Sequence, residues 1–266
     1  MGESLNRPSG VDEPPELSIV IPVYNEEAIL THSVSELCDR LDALSLRYEI
    51  ILAENGSRDA TAQAAAALAA ARPQVSTFSY PQPNYGGALR EGIYRARGRF
   101  VVCEEIDLCD VDFHSRALSQ LRKGAADMVI GSKAMAGAND TRPLERRVAT
   151  RVYNAVLRVT LGFRGTDTHG LKAFARREVV PVAATCVVEH DVFASELVIR
   201  AQRMGLRVIE IPVEVREKRA PSIRLGRRVP RVLGNLAKLM LSIHGRSSAL
   251  DRSTLPSDRA PAEPLE

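Results

Sequence analysis

The sequence has few cysteines and no pairing pattern among them. Cys38, Cys103, Cys109 and Cys186 are the only four in 266 residues, and no Cys-x-x-Cys occurs, which argues against a disulfide framework and against a zinc site. No apolar leader resembling a signal peptide opens the chain, so the expectation is reduced thiols in a cytosolic protein. A net charge of +3 is too small to argue for nucleic acid as a partner. No segment reads as a membrane span: the best candidate, Val232 to Leu241, is too short and too interrupted by polar residues. The glycine spacings of the Rossmann and P-loop fingerprints are also missing, and Tyr24-Asn25-Glu26-Glu27 stands where a nucleotidyltransferase would place a Gly-rich, basic loop.

What is present is an ordinary globular composition, 45% hydrophobic, enough to bury a substantial core in one domain with appendages. Residues 1–16 and 247–266 are rich in Pro, Ser and acids and are expected to be mobile tails. Between them, short apolar runs at Leu17–Val23, Tyr48–Leu52, Val75–Tyr80, Phe100–Cys103 and Met128–Ile130 predict buried strands. Helical patterns at Glu26–Leu44, Ala60–Ala71, Gly87–Ala96 and Asp112–Leu121 fill the gaps. The alternation predicts an α/β fold with a mostly parallel central sheet and helices on both faces, where ligands bind beyond the carboxyl ends of the strands.

Unusual residues cluster at those ends. Asn25 suits a helix cap and Glu27 its first turn; Gly56 suits a tight turn and Asp59 a cap; Gly86-Gly87 permits close backbone approach to a ligand. After the fourth apolar run come Glu105 and Asp107, which an extended chain would send to the same side, toward one hard cation. Surface acids at a strand end, and plain capping, account for the same residues structurally.

Taken in order, Ser18 to Glu27, Glu54 to Thr61, Asn84 to Gly92, Glu105-Ile106-Asp107, Gly131-Ser132-Lys133, Arg146 to Asn154, Asp167 to Phe174, Ser195-Glu196-Leu197 and Glu210 to Val213 resemble family 2 of the inverting, nucleotide-sugar-dependent glycosyltransferases. The order is similar to the dolichol-phosphate mannosyltransferase and polyprenyl-phosphate glycosyltransferase branch. The resemblance implies a GT-A type, Rossmann-like domain over 17–215, with a basic loop and amphipathic helix over 216–246. It implies that Pro22, Tyr24, Asn25, Glu27, Glu54, Asn55, Asp59 and Gly87 line or support a nucleoside diphosphate sugar of the GDP-mannose or UDP-glucose type. Glu105 and Asp107 take the family's metal positions for Mg²⁺ or Mn²⁺, and Asp107, Lys133, Arg147 and Arg151 are the implied catalytic set, the last three holding a lipid phosphate.

The chain departs from the family pattern at several of these places. Glu105 replaces the first Asp of the metal motif, Cys109 follows Leu108, Glu54-Asn55 replaces a common Asp-Asp, and Asp167-Thr168-His169-Gly170 is one residue short. Glu104 and Asp110 flank the metal pair as substitutes. A phosphate acceptor needs no general base, being largely dianionic near neutral pH, whereas a soluble hydroxyl acceptor needs one, with Asp167, His169 or Asp191 as candidates. An inactive nucleotide-sugar-binding or membrane partner protein is the third reading. The basic run Arg216 to Arg231 and the apolar-faced segment after it are compatible with lying on the cytoplasmic face of a membrane, or with packing back onto the domain, while Lys218, Arg219 and Arg224 could close over the site.

Overall fold

The structure, a computed structural model, describes residues 13–215 and 234–243. The chain order is β1 (Leu17–Val23), α1 (Leu30–Asp42), β2 (Tyr48–Glu54), α2 (Thr61–Ala71), β3 (Val75–Ser79), α3 (Tyr85–Arg95), β4 (Phe100–Cys103), α4 (Val111–Arg122), β5 (Met128–Ser132), β6 (Asn139–Asp140), α5 (Leu144–Leu161), β7 (Leu171–Ala175), α6 (Arg176–Thr185), α7 (Phe193–Arg203), β8 (Val208–Pro212) and β9 (Glu214–Val215). Seven strands form one sheet in the order β3-β2-β1-β4-β7-β5-β8, and β6 pairs with β9 in a separate ladder. Pairing in the large sheet is parallel except at β7, which runs antiparallel to both β4 and β5. The expected α/β, mostly parallel architecture is therefore present, with one inverted strand that apolar runs alone did not identify.

Alternate residues of the buried strands serve opposite faces of the sheet. Leu17, Ile19 and Ile21 of β1, with Phe100 and Val102 of β4, face a core shared with α1, α2 and α4. Val20 and Val101 face a second core built with α3, α5, α6 and α7. Each fully buried Leu, Ile or Phe contributes about 1.5–3 kcal/mol of burial free energy, so the two cores hold the strand ends rigidly in place.

Parallel pairing of β1, β2, β3 and β4, and the antiparallel β7 between β4 and β5, bring the carboxyl ends of β1, β2, β3, β4 and β5 to one edge. Because β7 is inverted, its beginning lies at that same edge: Leu171 pairs with Gly131, and Lys172 with Cys103. Gly170, just before it, passes so close to β5 that a Cβ there would sit 1.8 Å from the Gly131 carbonyl oxygen. Helix α5 ends on Gly162, whose φ of 68° takes the left-handed conformation that suits glycine.

Residues 1–12, 216–233 and 244–266 lie outside the described residues, and with them Lys218, Arg219, Ser222 and Arg224. Glu16, expected to end the N-terminal tail, is instead held in the fold, its amide donating to the Arg47 carbonyl and its carboxylate accepting from Arg122. Residues 234–243 are helical, and their apolar side chains Leu236, Leu239 and Ile243 are buried in the second core, with Arg200 donating to Ser242 Oγ. Of the two readings of that segment, packing back onto the domain is the one observed. No helix among the described residues is long and apolar enough to cross a membrane.

Candidate active site

Three turns at the carboxyl edge are tied to one another by their own side chains. Asn25 does not cap α1, which begins at Leu30 rather than Glu26; it adopts a left-handed φ of 54°, and its Oδ1 accepts from the Arg58 amide at 2.9 Å. The Asn25 amide donates to Ser57 Oγ, the Glu26 amide to Thr61 Oγ1 and the Glu27 amide to Asp59 Oδ2. Glu27 reaches back to accept from the Ala60 amide at 2.7 Å. Asp59 also accepts from the Thr61 amide and hydroxyl; these bonds, with burial opposing, hold its carboxyl below the usual range.

Glu54 and Asn55 are buried in the same lattice. Glu54 Oε1 accepts from the Ser57 amide at 2.6 Å, and Asn55 Oδ1 from the Asn84 amide at 2.6 Å. Asn84 in turn caps α3 through Gly87 and accepts from the His190 amide, while its Nδ2 donates to Glu189. Gly87 is buried, and a Cβ there would meet the Tyr80 ring 2.7 Å away, so close packing within the chain explains this glycine. Pro22 pairs with Ala53 in the sheet register, and Tyr24 presents an exposed ring beside the turn.

The fourth strand stops at Cys103, and the acids that follow are not on an extended chain. Glu105 opens a turn whose carbonyl accepts from the Leu108 and Cys109 amides, and Cys109 takes a left-handed φ of 46°. Glu105 and Asp107 are half-buried and electrostatically coupled across this turn. Burial pushes the Glu105 carboxyl above its usual range, Lys133 opposes the shift, and repulsion from Asp107 adds to it. Cys109 is buried, its thiol directed at the Ile106 carbonyl.

Glu104 and Asp110 are not spare ligands. The Glu104 carboxylate is fully buried and accepts from the Glu105 amide at 2.9 Å, from the Asp110 amide at 3.1 Å, and lies 2.6 Å from His114 Nε2 on α4. It thereby clasps both ends of the Glu105–Asp110 turn, while Asp110 caps α4 through the Phe113 amide. The sequence held no signal for this clamp, since Glu104 reads as one acid among several.

Lys133, Arg147, Thr150 and Arg151 line one cavity of about 80 Å³ together with Asp140 and Arg142. Arg142 grips Asp140 through two bonds of 2.8 Å and reaches Thr150 Oγ1 at 3.4 Å; despite burial, this pairing holds Asp140 below its usual range. Arg147 and Arg151 make no ion pair among the described residues. Lys133 Nζ lies 3.6 Å from Asp167 Oδ2. Asp167 is fully buried and also accepts from the His169 amide; although burial works against it, Lys133 and that amide keep its carboxyl below the usual range. Glu210 on β8 accepts from the Thr166 and Asp167 amides and so holds this loop. Lys172 is buried with its ammonium on the Gly170 carbonyl at 2.7 Å, and burial lowers its pKa. Asp140, Arg142, Lys172 and Glu210 were missed as site residues because each gains its place from the inverted β7, from β8 or from the β6–β9 ladder.

Of the candidate bases, Asp167 is engaged and weakly basic, and His169 packs edge-on against Tyr153 with ring centroids 5.0 Å apart. The side chain of Asp191 lies outside what the structure describes. No group of three or more His, Cys, Asp or Glu able to hold an ion alone occurs among the described residues. Glu105 and Asp107 are nevertheless hard-oxygen ligands in a partly desolvated, mutually repulsive pair, which fits a divalent cation whose remaining ligands come from a diphosphate.

A Rossmann-like sheet with polar turns at its carboxyl edge, an acidic pair and a cationic cavity defines a GT-A type domain. Residues 18–181 match the family model described as Glycosyl transferase family 2, and the chain belongs to that family. It is 32% identical over 204 residues to glycosyltransferase AglD of Haloferax volcanii, covering 75% of this chain and 33% of that one. It is 30% identical over 237 residues to the human dolichyl-phosphate beta-glucosyltransferase, covering 80% and 71%. The chain thus spans only part of its curated relatives, a third of AglD. Among solved structures, glucosyl-3-phosphoglycerate synthase from Mycobacterium tuberculosis, in complex with Mn²⁺, UDP and phosphoglyceric acid, is similar in fold, with a TM-score of 0.61 at 20% identity over 85% of this chain and 78% of that one.

Proposed function

We propose that this protein is a metal-assisted inverting glycosyltransferase that moves a hexose from a nucleoside diphosphate sugar to a polyprenyl phosphate. The observation that carries the reading is the cavity lined by Lys133, Arg147 and Arg151, with Lys133 also close enough to Glu105 to act on its carboxyl. A phosphate monoester arrives there as its own nucleophile, largely dianionic at neutral pH, so the site needs cations and no base. The weak basicity of Asp167 agrees with that economy. The relatives named for dolichyl phosphate support the lipid acceptor.

In this reading the turns after β1, β2 and β3 shape the donor site, with Tyr24 offering an open ring face and the buried Glu54 and Asn55 holding the surrounding amides in place. Glu105 and Asp107 would hold Mg²⁺ or Mn²⁺, which when bound neutralises the charge that builds on the departing diphosphate. Lys133, with Asp167 fixing its position, sits between donor and acceptor and screens their repulsion. Arg147 and Arg151 orient the acceptor phosphate, and the Asp140–Arg142 pair walls the cavity.

A second reading, a soluble acceptor, is favoured by the structural neighbour's complex with phosphoglyceric acid. Thermal shift with UDP and GDP, each with and without Mn²⁺, tests the donor side: one diphosphate is expected to raise Tm, and more so with the ion. Nucleoside diphosphate release on addition of short-chain polyprenyl phosphate tests the acceptor. Release with phosphoglycerate or another soluble acceptor and none with the lipid phosphate would overturn it.

A further inference from the structure

Among the described residues, neither the Glu105 nor the Asp107 carboxylate forms a hydrogen bond or an ion pair, and the two repel each other. What keeps them together is the backbone of the turn that carries them. Its own ties are the Leu108 and Cys109 amides on the Glu105 carbonyl, at 2.9 and 3.3 Å, and it includes the left-handed Cys109, a conformation a residue with a Cβ adopts at a cost. Arg40 adds a bond to the Cys109 carbonyl at 3.2 Å. The strongest grip comes from Glu104, whose carboxylate bonds are charge-assisted.

We propose that Glu104 and His114 are a positioning pair for the divalent cation: the ring fixes the Glu104 carboxylate, which holds both ends of the turn so that Glu105 and Asp107 stand ready as ligands. The proposal rests on the reading of those two acids as the metal pair. Three observations support it. Glu104 Oε1 accepts from the Glu105 amide, and Oε2 from the Asp110 amide and His114, so one buried carboxylate bridges the first and last residues of the turn. A carboxylate offers only acceptors, so His114 Nε2 is the donor, while its Nδ1 is buried without a partner. An idle buried nitrogen costs the fold, and an apolar side chain beside Phe113 and Ala117 would avoid that cost, so packing does not account for a histidine here. Finally, both partners sit on rigid elements. The Glu104 amide donates to the Val20 carbonyl of β1 at 2.9 Å, and His114 lies near the start of α4, whose Phe113, Leu118 and Leu121 are packed in the first core. Outer partners that orient ligating side chains in this way govern how tightly a metal site holds its ion.

The test titrates the full chain with Mn²⁺, alone and with UDP or GDP, and follows the free ion by electron paramagnetic resonance. His114→Leu removes the donor and keeps the bulk, whereas His114→Gln returns a side-chain N–H near the place of Nε2. Wild type is expected to bind Mn²⁺ with one of the diphosphates, His114→Leu about tenfold or more weakly, and His114→Gln within about threefold of wild type. Glu104→Gln, of the same shape but with one acceptor oxygen instead of two, is an independent variant expected to lose about as much as His114→Leu. In nucleoside diphosphate release, the Mn²⁺ concentration giving half the maximal rate is expected to rise about tenfold for His114→Leu, with kcat at saturating ion within about threefold of wild type. A general packing fault would lower kcat at every ion concentration. Equal Mn²⁺ affinity in wild type, His114→Leu and Glu104→Gln overturns the proposal. So does tighter binding by His114→Leu, which would mean that Glu104 is a ligand once released, and so does a His114→Gln no better than His114→Leu, which would put the effect down to packing. Wild type that takes up no Mn²⁺ with either diphosphate removes the metal reading and this proposal with it, whereas the other three outcomes strike this proposal alone.

Discussion

The donor-side turns and the acceptor-side cavity treat their polar side chains in opposite ways. Asn25, Glu27, Glu54, Asn55 and Asp59 each accept from a backbone amide of their own or a neighbouring turn. Across the site, Arg147 and Arg151 point into a cavity without an ion pair among the described residues. The first region uses polar groups to make a shape, and the second keeps charge available for a ligand. A buried amide left without its acceptor costs stability, whereas a half-exposed arginine without a partner costs little and retains its affinity for anions.

Mutations can break this contrast. Asp107→Ala, at the junction of the two regions, is expected to lower kcat/KM by about 10²–10³-fold with Tm little changed, measured as nucleoside diphosphate release in Mn²⁺; turnover that persists with and without the ion rejects the metal assignment. Arg147→Ala is expected to raise the acceptor KM by about ten- to a hundredfold, leaving donor KM unchanged and stability within about 0.5 kcal/mol of wild type. Asn55→Ala, its donor-side counterpart, orphans the Asn84 amide and is expected to cost about 1–3 kcal/mol in urea unfolding. A stability loss for Arg147→Ala matching that of Asn55→Ala would dissolve the comparison.

The smallest effect concerns Asp167, which belongs to the cavity yet behaves like the turns. Its carboxyl is held below the ordinary value, so ionisation stabilises the fold, fully so above the unfolded-chain pKa of 3.8. Asp167→Asn is expected to be less stable than wild type at pH 7 and pH 5 alike. The gap should close below about pH 4, as the native carboxylate is protonated through its depressed pKa.

Much of this site was legible along the chain. Glu105 and Asp107 stand just beyond the expected strand, and Lys133 lines one cavity with Arg147 and Arg151, 14 and 18 positions further along the chain. The details that failed were those set by partners from other segments. Asn25 has the local character of a cap, but its oxygen accepts from the Arg58 amide, 33 positions away. Glu104 stands in sequence as a spare ligand beside the metal pair, yet it is clasped to His114 and two turn amides.

Over Leu17–Ile130, hydrophobic periodicity by itself determined the alternation of strands and helices, the two-faced sheet and the edge where the site lies, because periodicity records burial and burial follows local backbone geometry. Only tertiary structure decided that β7 enters inverted and brings Asp167 and Lys172 to that edge, which polar side chains are consumed by the fold, and that α5 turns its valines outward. Those outcomes depend on register between distant segments, and a residue's own neighbours in the chain carry no record of it.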